Sequence, residues 1–298
     1  MAKASHLGAM NPSNASSLLF IGASGLIGSL VTPALMKAGF SVSTAGRRGL
    51  SVGDAPGIAV DLRDSTNLAR AMQGVATVAL VLPDVPDMEA IGLNAVNAAK
   101  AAGVRRLLWF SSFGAKPDNQ ARFSRLHPVI DEAVRSSGIP YTILRPSFLM
   151  QNFTFFYGDI IRTTGMIFLP LGDARVSHLD LRDLAEAAAA ALTDDRHINK
   201  TYDLSGPEAL HTGEVAEQIG SATGRTIRYQ PISVAEMEAG LRDAGMDAWF
   251  AEGLAELYGW IRDSGLASEV TDSAERLLGR KATPFRQFAL DARTAWLD

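Results

Sequence analysis

The chain has 298 residues, 47% of them hydrophobic and 20% charged, with a net charge of −4 at neutral pH and no cysteine. This length suits one large α/β unit with a smaller region, or two domains, and a core that needs no disulfide or metal staple. Disulfides, thiolate metal sites and cysteine nucleophiles are excluded, and without a basic excess or a dense Lys/Arg stripe nucleic acid is not an expected partner.

No apolar run reaches the roughly 18 residues that span a bilayer, so no membrane partner is expected. Met1 to Ser17 lacks the apolar centre of a signal peptide, and the absence of cysteine fits a reducing, cytoplasmic setting. Met1 to Ala9, ahead of a second methionine at Met10, reads as an appended remnant and is set aside. The chain proper starts with a short strand, Leu18 to Ile21, ending in glycine. Ile27, Leu30, Val31, Ala34, Leu35 and Ala38 then follow at helical spacing until Gly39. Pro33 inside that helix predicts a kink.

Ser41 to Ala45 and Ile58 to Val60 read as the second and third strands, and Ser65 to Met72 as a short helix. Ala76 to Leu82 is a fourth strand closed by Pro83. Met88, Ile91, Ala95, Ala98, Ala99 and Ala102 mark one helix face, ending at Gly103. Arg106 to Ser111 and Tyr141 to Leu144 are the fifth and sixth strands, with a helix from His127 to Ser137 between them. Strand and helix in this alternation predict an α/β fold, a doubly wound parallel sheet. After about Gln151 aromatics cluster, an alanine-rich helix covers Asp183 to Leu192, and Thr201 to Leu204 returns as a strand. From Thr212 onward the chain reads as mainly helical. The expected division is 17–157 as the dinucleotide-binding unit, with 183–206 returning to it, and 158–182 and 207–298 as a smaller substrate region.

Gly22-Ala23-Ser24-Gly25-Leu26-Ile27-Gly28 lies between a strand and an amphipathic helix. In that setting one glycine permits the turn, one lets backbone approach a pyrophosphate, and one lets helix and strand pack closely. The helix N-terminus then offers free N–H groups to phosphate. NAD sites place an acid about 20 residues beyond such a turn. Here the second strand ends in Ala45-Gly46-Arg47-Arg48, and paired guanidinium forks suit a 2′-phosphate, so NADPH/NADP is the expected cofactor. A solvated Arg-Arg turn is the alternative. Leu82 and Pro83 end the fourth strand at the edge where such sheets bind ligands.

The Gly-x-x-Gly-x-x-Gly spacing resembles that of extended and atypical short-chain dehydrogenase/reductases, which implies NAD(P) on a Rossmann fold. Related reductases hold adenine where Asp61 and Leu62 follow the third strand; these two, like Leu82 and Pro83, read equally as simple turn residues. Most of that superfamily moves a proton through Tyr-x-x-x-Lys and a serine; the chain has no Tyr-x-x-x-Lys. Ser111 and Ser112 stand where the serine belongs, and His127 and Asp131 near the Tyr and Lys positions. His127 is either a general acid oriented by Asp131 or a helix-start histidine that caps or faces solvent. Lys116 is either a second donor or phosphate contact, or a solvated lysine.

Later motifs sharpen the resemblance. Ser111-Ser112-Phe113-Gly114-Ala115, Ser137-Gly138-Ile139-Pro140-Tyr141-Thr142-Ile143-Leu144-Arg145-Pro146, Phe148 to Phe153, Gly172-Asp173, Asp180-x-x-Asp183-Leu184-Ala185 and Tyr202-Asp203-Leu204-Ser205-Gly206-Pro207 are similar to the NmrA-like family across Leu18 to Phe288. That family includes NAD(P)H-dependent reductases of quinone type and redox-sensing regulators that bind NADP without evident turnover. The resemblance implies an NADPH-dependent oxidoreductase acting on a quinone, enone or imine, with a non-catalytic regulator as the alternative. Phe148, Met150, Asn152, Phe153 and Phe156 read either as the wall of a substrate pocket or as interdomain packing. No Walker or Gly-x-Ser-x-Gly motif occurs, and the scattered histidines hold no metal-ligand spacing. A monomer or homodimer fits the sequence equally.

Overall fold

The computed structural model describes residues 16–297; the segment Met1 to Ala9 lies outside the described residues. The first half alternates as the sequence predicts: β1 (Ser17–Ile21), α1 (Leu26–Lys37), β2 (Ser41–Gly46), β3 (Gly57–Ala59), α2 (Ser65–Ala71), β4 (Thr77–Leu80), α3 (Met88–Ala101), β5 (Arg106–Phe110), α4 (Arg122–Ser136) and β6 (Tyr141–Pro146). Then come α5 (Asn152–Phe155), α6 (Gly158–Thr164), β7 (Met166–Leu169), β8 (Arg175–Ser177), α7 (Leu181–Thr193) and β9 (Lys200–Leu204). The remainder is β10 (Ala209–His211), α8 (Thr212–Thr223), β11 (Arg228–Pro231), α9 (Val234–Asp243), α10 (Ala248–Ser264), α11 (Ser273–Leu278) and α12 (Phe285–Asp291).

Seven strands form one sheet in the order β3-β2-β1-β4-β5-β6-β9. Every neighbouring pair is parallel. The chain runs outward from β1 to β3, then returns to lay β4 on the other side of β1. Such a reversal opens a crevice at the carboxyl ends of the strands. Helices cover both faces, which is why the central strands are continuous apolar runs rather than alternating ones. Leu18 and Phe20 of β1 face a cluster with α1 and α7, while Leu19 and Ile21 face one with α2, α3 and α4. A third apolar cluster joins Met150 and Phe153 to Ile161, Leu169, Tyr258, Phe285 and Trp296.

The helix α1 runs through Pro33, which sits on its exposed side, so the Ser29 carbonyl left without its intrahelical donor is also at the solvent-facing side. One local expectation changes, at helix α4, which begins at Arg122, five residues before the expected start. Its buried face takes Phe123, His127, Ile130, Asp131 and Val134 in steps of three and four. Pro128 lies inside this helix rather than opening it, and His127 is on its buried face rather than capping its start. Strand β9 returns to the sheet beside β6, as the sequence predicts.

Candidate active site

The turn after β1 assigns a separate task to each glycine. Gly22 has φ +83°, and a Cβ there would lie 2.0 Å from the Val81 carbonyl oxygen. At Gly28 a Cβ would lie 2.2 Å from the Ala23 carbonyl oxygen, so only glycine lets α1 pack this close to the turn. Gly25 differs, because a Cβ there would meet nothing nearer than 3.6 Å. The fold itself does not require that glycine, which leaves its open side for a ligand. Gly25 is also the N-cap of α1, with no side-chain cap and no acidic residue in the first turn. Its neighbours Ser24 and Leu26 are exposed and half-buried. An uncapped N-terminus of this kind receives phosphate well.

Arg47 and Arg48 are exposed at the end of β2, and among the described residues neither pairs with a carboxylate. The β2–β3 register sets Gly46 against Ala59. Both arginines therefore leave the sheet beside Asp61, whose carboxylate accepts from the Arg63 N–H at 3.0 Å. Leu62 is half-buried against the α2–α3 side of the core.

A cleft of about 290 Å³ opens at the carboxyl ends of β4, β5 and β6. Ile27 from the first turn of α1 joins it to the glycine turn. Val81, Leu82 and Asp84 supply the side after β4; Phe110, Ser111, Ser112 and Phe113 the side after β5. Phe123 and His127 rise from α4, Phe148 and Asn152 follow β6, and Leu257, Trp260 and Ile261 of α10 complete the wall. The loop after β5 fits under α10 because residue 114 is glycine: at φ +75° a Cβ would lie 2.7 Å from the Trp260 ring.

Polar groups in this aromatic enclosure are few. Ser111 is buried and its hydroxyl has no partner among the described residues. Such an orphan is costly unless something fills the space beside it. His127 packs against Trp109 with ring centroids 5.6 Å apart, and its Nδ1 also has no partner. Burial pushes its pKa down to about 4, Arg145 pushes the same way, and Asp131 offsets only part of this. Desolvation in the cleft raises Asp84 to about 6. Phe148 is held edge-on by Tyr258 at 5.2 Å, and the Tyr258 hydroxyl in turn bonds to that of Tyr157.

The cleft brings Ile27, Leu82, Ser111, Ser112, His127, Phe148 and Asn152 together, but several expected residues lie elsewhere. Lys116 is exposed on the loop after β5 and does not line the cleft. Phe153 is a core residue, packed on Phe285 and His178, and Met150 is buried beside it. Phe156 is 58% exposed on the outer surface, and Pro83 is exposed beside the cleft. Asp131 does not hydrogen-bond His127. Its buried carboxylate accepts from Trp109 Nε1 at 2.7 Å and from Arg145 at 2.5 Å, because the helix turns it toward β5 and β6. Asp84, Phe113, Phe123 and Trp260 were not expected. Asp84 follows Leu82-Pro83 and is indistinguishable locally from a turn aspartate, whereas Trp260 arrives from a distant helix.

Among the described residues there is no cluster of side chains suited to a metal ion, and no helix is long and apolar enough to cross a membrane. The model of the NmrA-like family matches residues 14–289. The NAD(P)H azoreductase of Xenophilus azovorans is 34% identical over 277 residues, covering 91% of this chain and 96% of that protein. The Citrobacter sp. triphenylmethane reductase, solved with NADP(H), shares 27% identity at TM-score 0.80 and covers 93% of this chain and 99% of its own. The NADPH-dependent quinone oxidoreductase of Escherichia coli, solved with NADPH, shares 25% identity at TM-score 0.79, with 91% and 98% covered.

Proposed function

The chain belongs to the NmrA-like family, and from that premise we propose that it is an NADPH-dependent oxidoreductase reducing a flat, conjugated small molecule of quinone, enone or imine type. One observation carries this reading: a cleft runs from Ile27, two residues past the uncapped helix start at Gly25, to an aromatic wall at Phe148 and Trp260, past a buried serine hydroxyl without a partner among the described residues. Reductases similar over nearly the whole chain support it.

In this reading Gly22, Ser24, Gly25, Leu26, Ile27 and Gly28 present backbone to the pyrophosphate. Arg47 and Arg48 hold the 2′-phosphate, and Asp61 and Leu62 flank the adenine. Leu82, Pro83, Ser111 and Ser112 flank the nicotinamide side, where the Ser111 hydroxyl donates or accepts a hydrogen bond. The cofactor supplies the hydride chemistry; the protein orients and keeps the site dry. Phe148, Asn152 and Trp260 position the acceptor. His127, neutral above pH about 4, shapes the floor of the cleft and offers a neutral imidazole rather than a charged acid.

The test is a paired titration with NADPH and NADH, followed by oxidation assays across quinones, enones and imines. Tighter NADPH binding and turnover of at least one acceptor class are expected. NADP binding with no turnover of any acceptor would identify a redox sensor instead, and equal affinity for both cofactors would remove the role given to Arg47 and Arg48.

A further inference from the structure

The chain lacks the tyrosine–lysine pair that delivers protons in most of the wider superfamily, so reduction of a neutral acceptor needs another donor. We propose that Asp84 is that donor: its carboxyl passes a proton to the acceptor as the hydride arrives. The proposal rests on the oxidoreductase reading above.

To the cleft the start of α1 contributes Ile27, the loop after β5 serines and phenylalanines, the segment after β6 Ser147, Asn152 and apolar groups, and α10 Leu257, Trp260 and Ile261; the Ser147 hydroxyl already donates to the Ser177 carbonyl. From α4 comes His127, and from the loop after β4 comes Asp84. Among the described residues these two are the only side chains lining the cleft that titrate between acid and neutral pH. Other charges nearby are engaged or turned outward. Asp87 on the same loop is held by Arg63 at 2.6 Å, Arg122 on α4 by Glu256 and Glu252, and Glu89 and Lys116 lie outside the lining.

His127 is a poor donor near neutral pH. Burial strips its second proton until about pH 4, and a neutral imidazole surrenders its remaining N–H with great difficulty. Asp84 has the opposite character. Among the described residues its carboxyl has no hydrogen bond or ion pair, and no Lys or Arg lines the cleft to hold it ionised. Desolvation alone raises it to about 6. An acid titrating near the working pH combines a substantial protonated fraction with a proton that leaves readily. Partial exposure of Asp84 gives it a route to water.

The step balances simply. A neutral enone gains a hydride, two electrons with one hydrogen, from the reduced nicotinamide, which is left oxidised and positively charged. The Asp84 O–H bond breaks, and the proton forms an O–H bond on the enolate oxygen. Asp84 remains as a carboxylate and takes its next proton from water. A cationic iminium acceptor needs no such proton, because hydride alone makes a neutral amine.

The experiment compares the wild type with Asp84→Asn in two readouts. In the cofactor-free protein, carbon-13 NMR of the carboxyls should show one aspartate titrating near pH 6 that disappears in the variant. In turnover, the wild type should lose kcat for a neutral enone as pH rises through the Asp84 titration. Asp84→Asn should lower that kcat about 100-fold at pH 6 and flatten the profile, with NADPH affinity, read by fluorescence, within about twofold of wild type by the tenfold-per-1.4 kcal/mol scale. An N-alkylated iminium should lose far less. No aspartate titrating near pH 6 overturns the proposal whatever the turnover. So does an unchanged enone profile in the variant, or a greater loss with the iminium, which would make Asp84 a counter-ion. If the titration is present but the wild type reduces neither acceptor, the oxidoreductase reading fails and the donor role falls with it.

Discussion

Gly22, Gly25 and Gly28 are separated by what an added methyl group would meet, and this separates folding from binding. Gly28→Ala forces a methyl to within 2.2 Å of backbone, a clash that should cost about 1–3 kcal/mol in urea unfolding. Gly25→Ala meets only ordinary contacts inside the protein, so its unfolding curve should stay close to wild type. Its NADPH affinity should nevertheless fall roughly tenfold, about 1.4 kcal/mol, because the methyl stands where the pyrophosphate approaches. Equal losses of stability in both variants would remove the division of labour. Replacing Arg47 and Arg48 together by Ala should weaken NADPH roughly 10- to 100-fold, about 1.5–3 kcal/mol for charged hydrogen bonds, and leave NADH nearly unchanged in the same fluorescence titration. A parallel loss for both cofactors would place the arginines away from the 2′-phosphate.

Among elements, α4 shows how a helix can carry both a site residue and the tie that fixes it. His127 faces the cleft, while Asp131, one turn on, reaches under it to Trp109 of β5 and Arg145 of β6. The carboxylate is wholly buried and Arg145 is only 18% exposed. Removing one member of such a pair leaves a buried charge without compensation. Asp131→Ala should therefore lower the free energy of unfolding by about 3 kcal/mol or more, seen as an earlier urea midpoint, with Trp109 emission changing at the same transition. A loss near zero would mean that packing alone seats α4. Sequence spacing located this helix but not its start, since Pro128 resembles an N-terminal proline. The residues before it, Phe123 to Leu126, continue the buried face only when β5 and α10 lie against them.

Across the whole molecule, the third apolar cluster binds the segments around the cleft into one aromatic mass, and a histidine lies inside it. His178 packs against Phe148, Phe153 and Phe285, and burial lowers its pKa to about 4, offset slightly by the Val176 backbone. Its folded value is below the ordinary value near 6.5, so protons favour the unfolded chain in acid. The stability it contributes is complete above about pH 6.5 and is lost as pH falls toward 4. His127 acts in the same direction. Unfolding free energies measured from pH 7 to pH 4 should fall steeply, and His178→Phe should reduce that fall by about 3 kcal/mol. An equally steep fall in the variant would assign the acid sensitivity to His127 and other groups.

By itself the sequence determined the parallel α/β sheet, the glycine turn at its first strand, the arginine pair and the serines at the strand ends. These are local matters: runs of apolar residues, glycine spacing and strand termini are set by neighbours in the chain, and a parallel sheet brings strand ends to one edge. Only the tertiary structure decided which side chains share the cleft. Phe153 and Phe156 lie one and four residues after Asn152, yet helical rotation and the third cluster put one in the core and the other on the surface. Trp260 and Phe123 join the wall because α10 packs on α4. Asp84 became notable only once its surroundings proved aromatic and free of cations, for a carboxyl's proton affinity is set by solvent and charges around it, not by its neighbours along the chain.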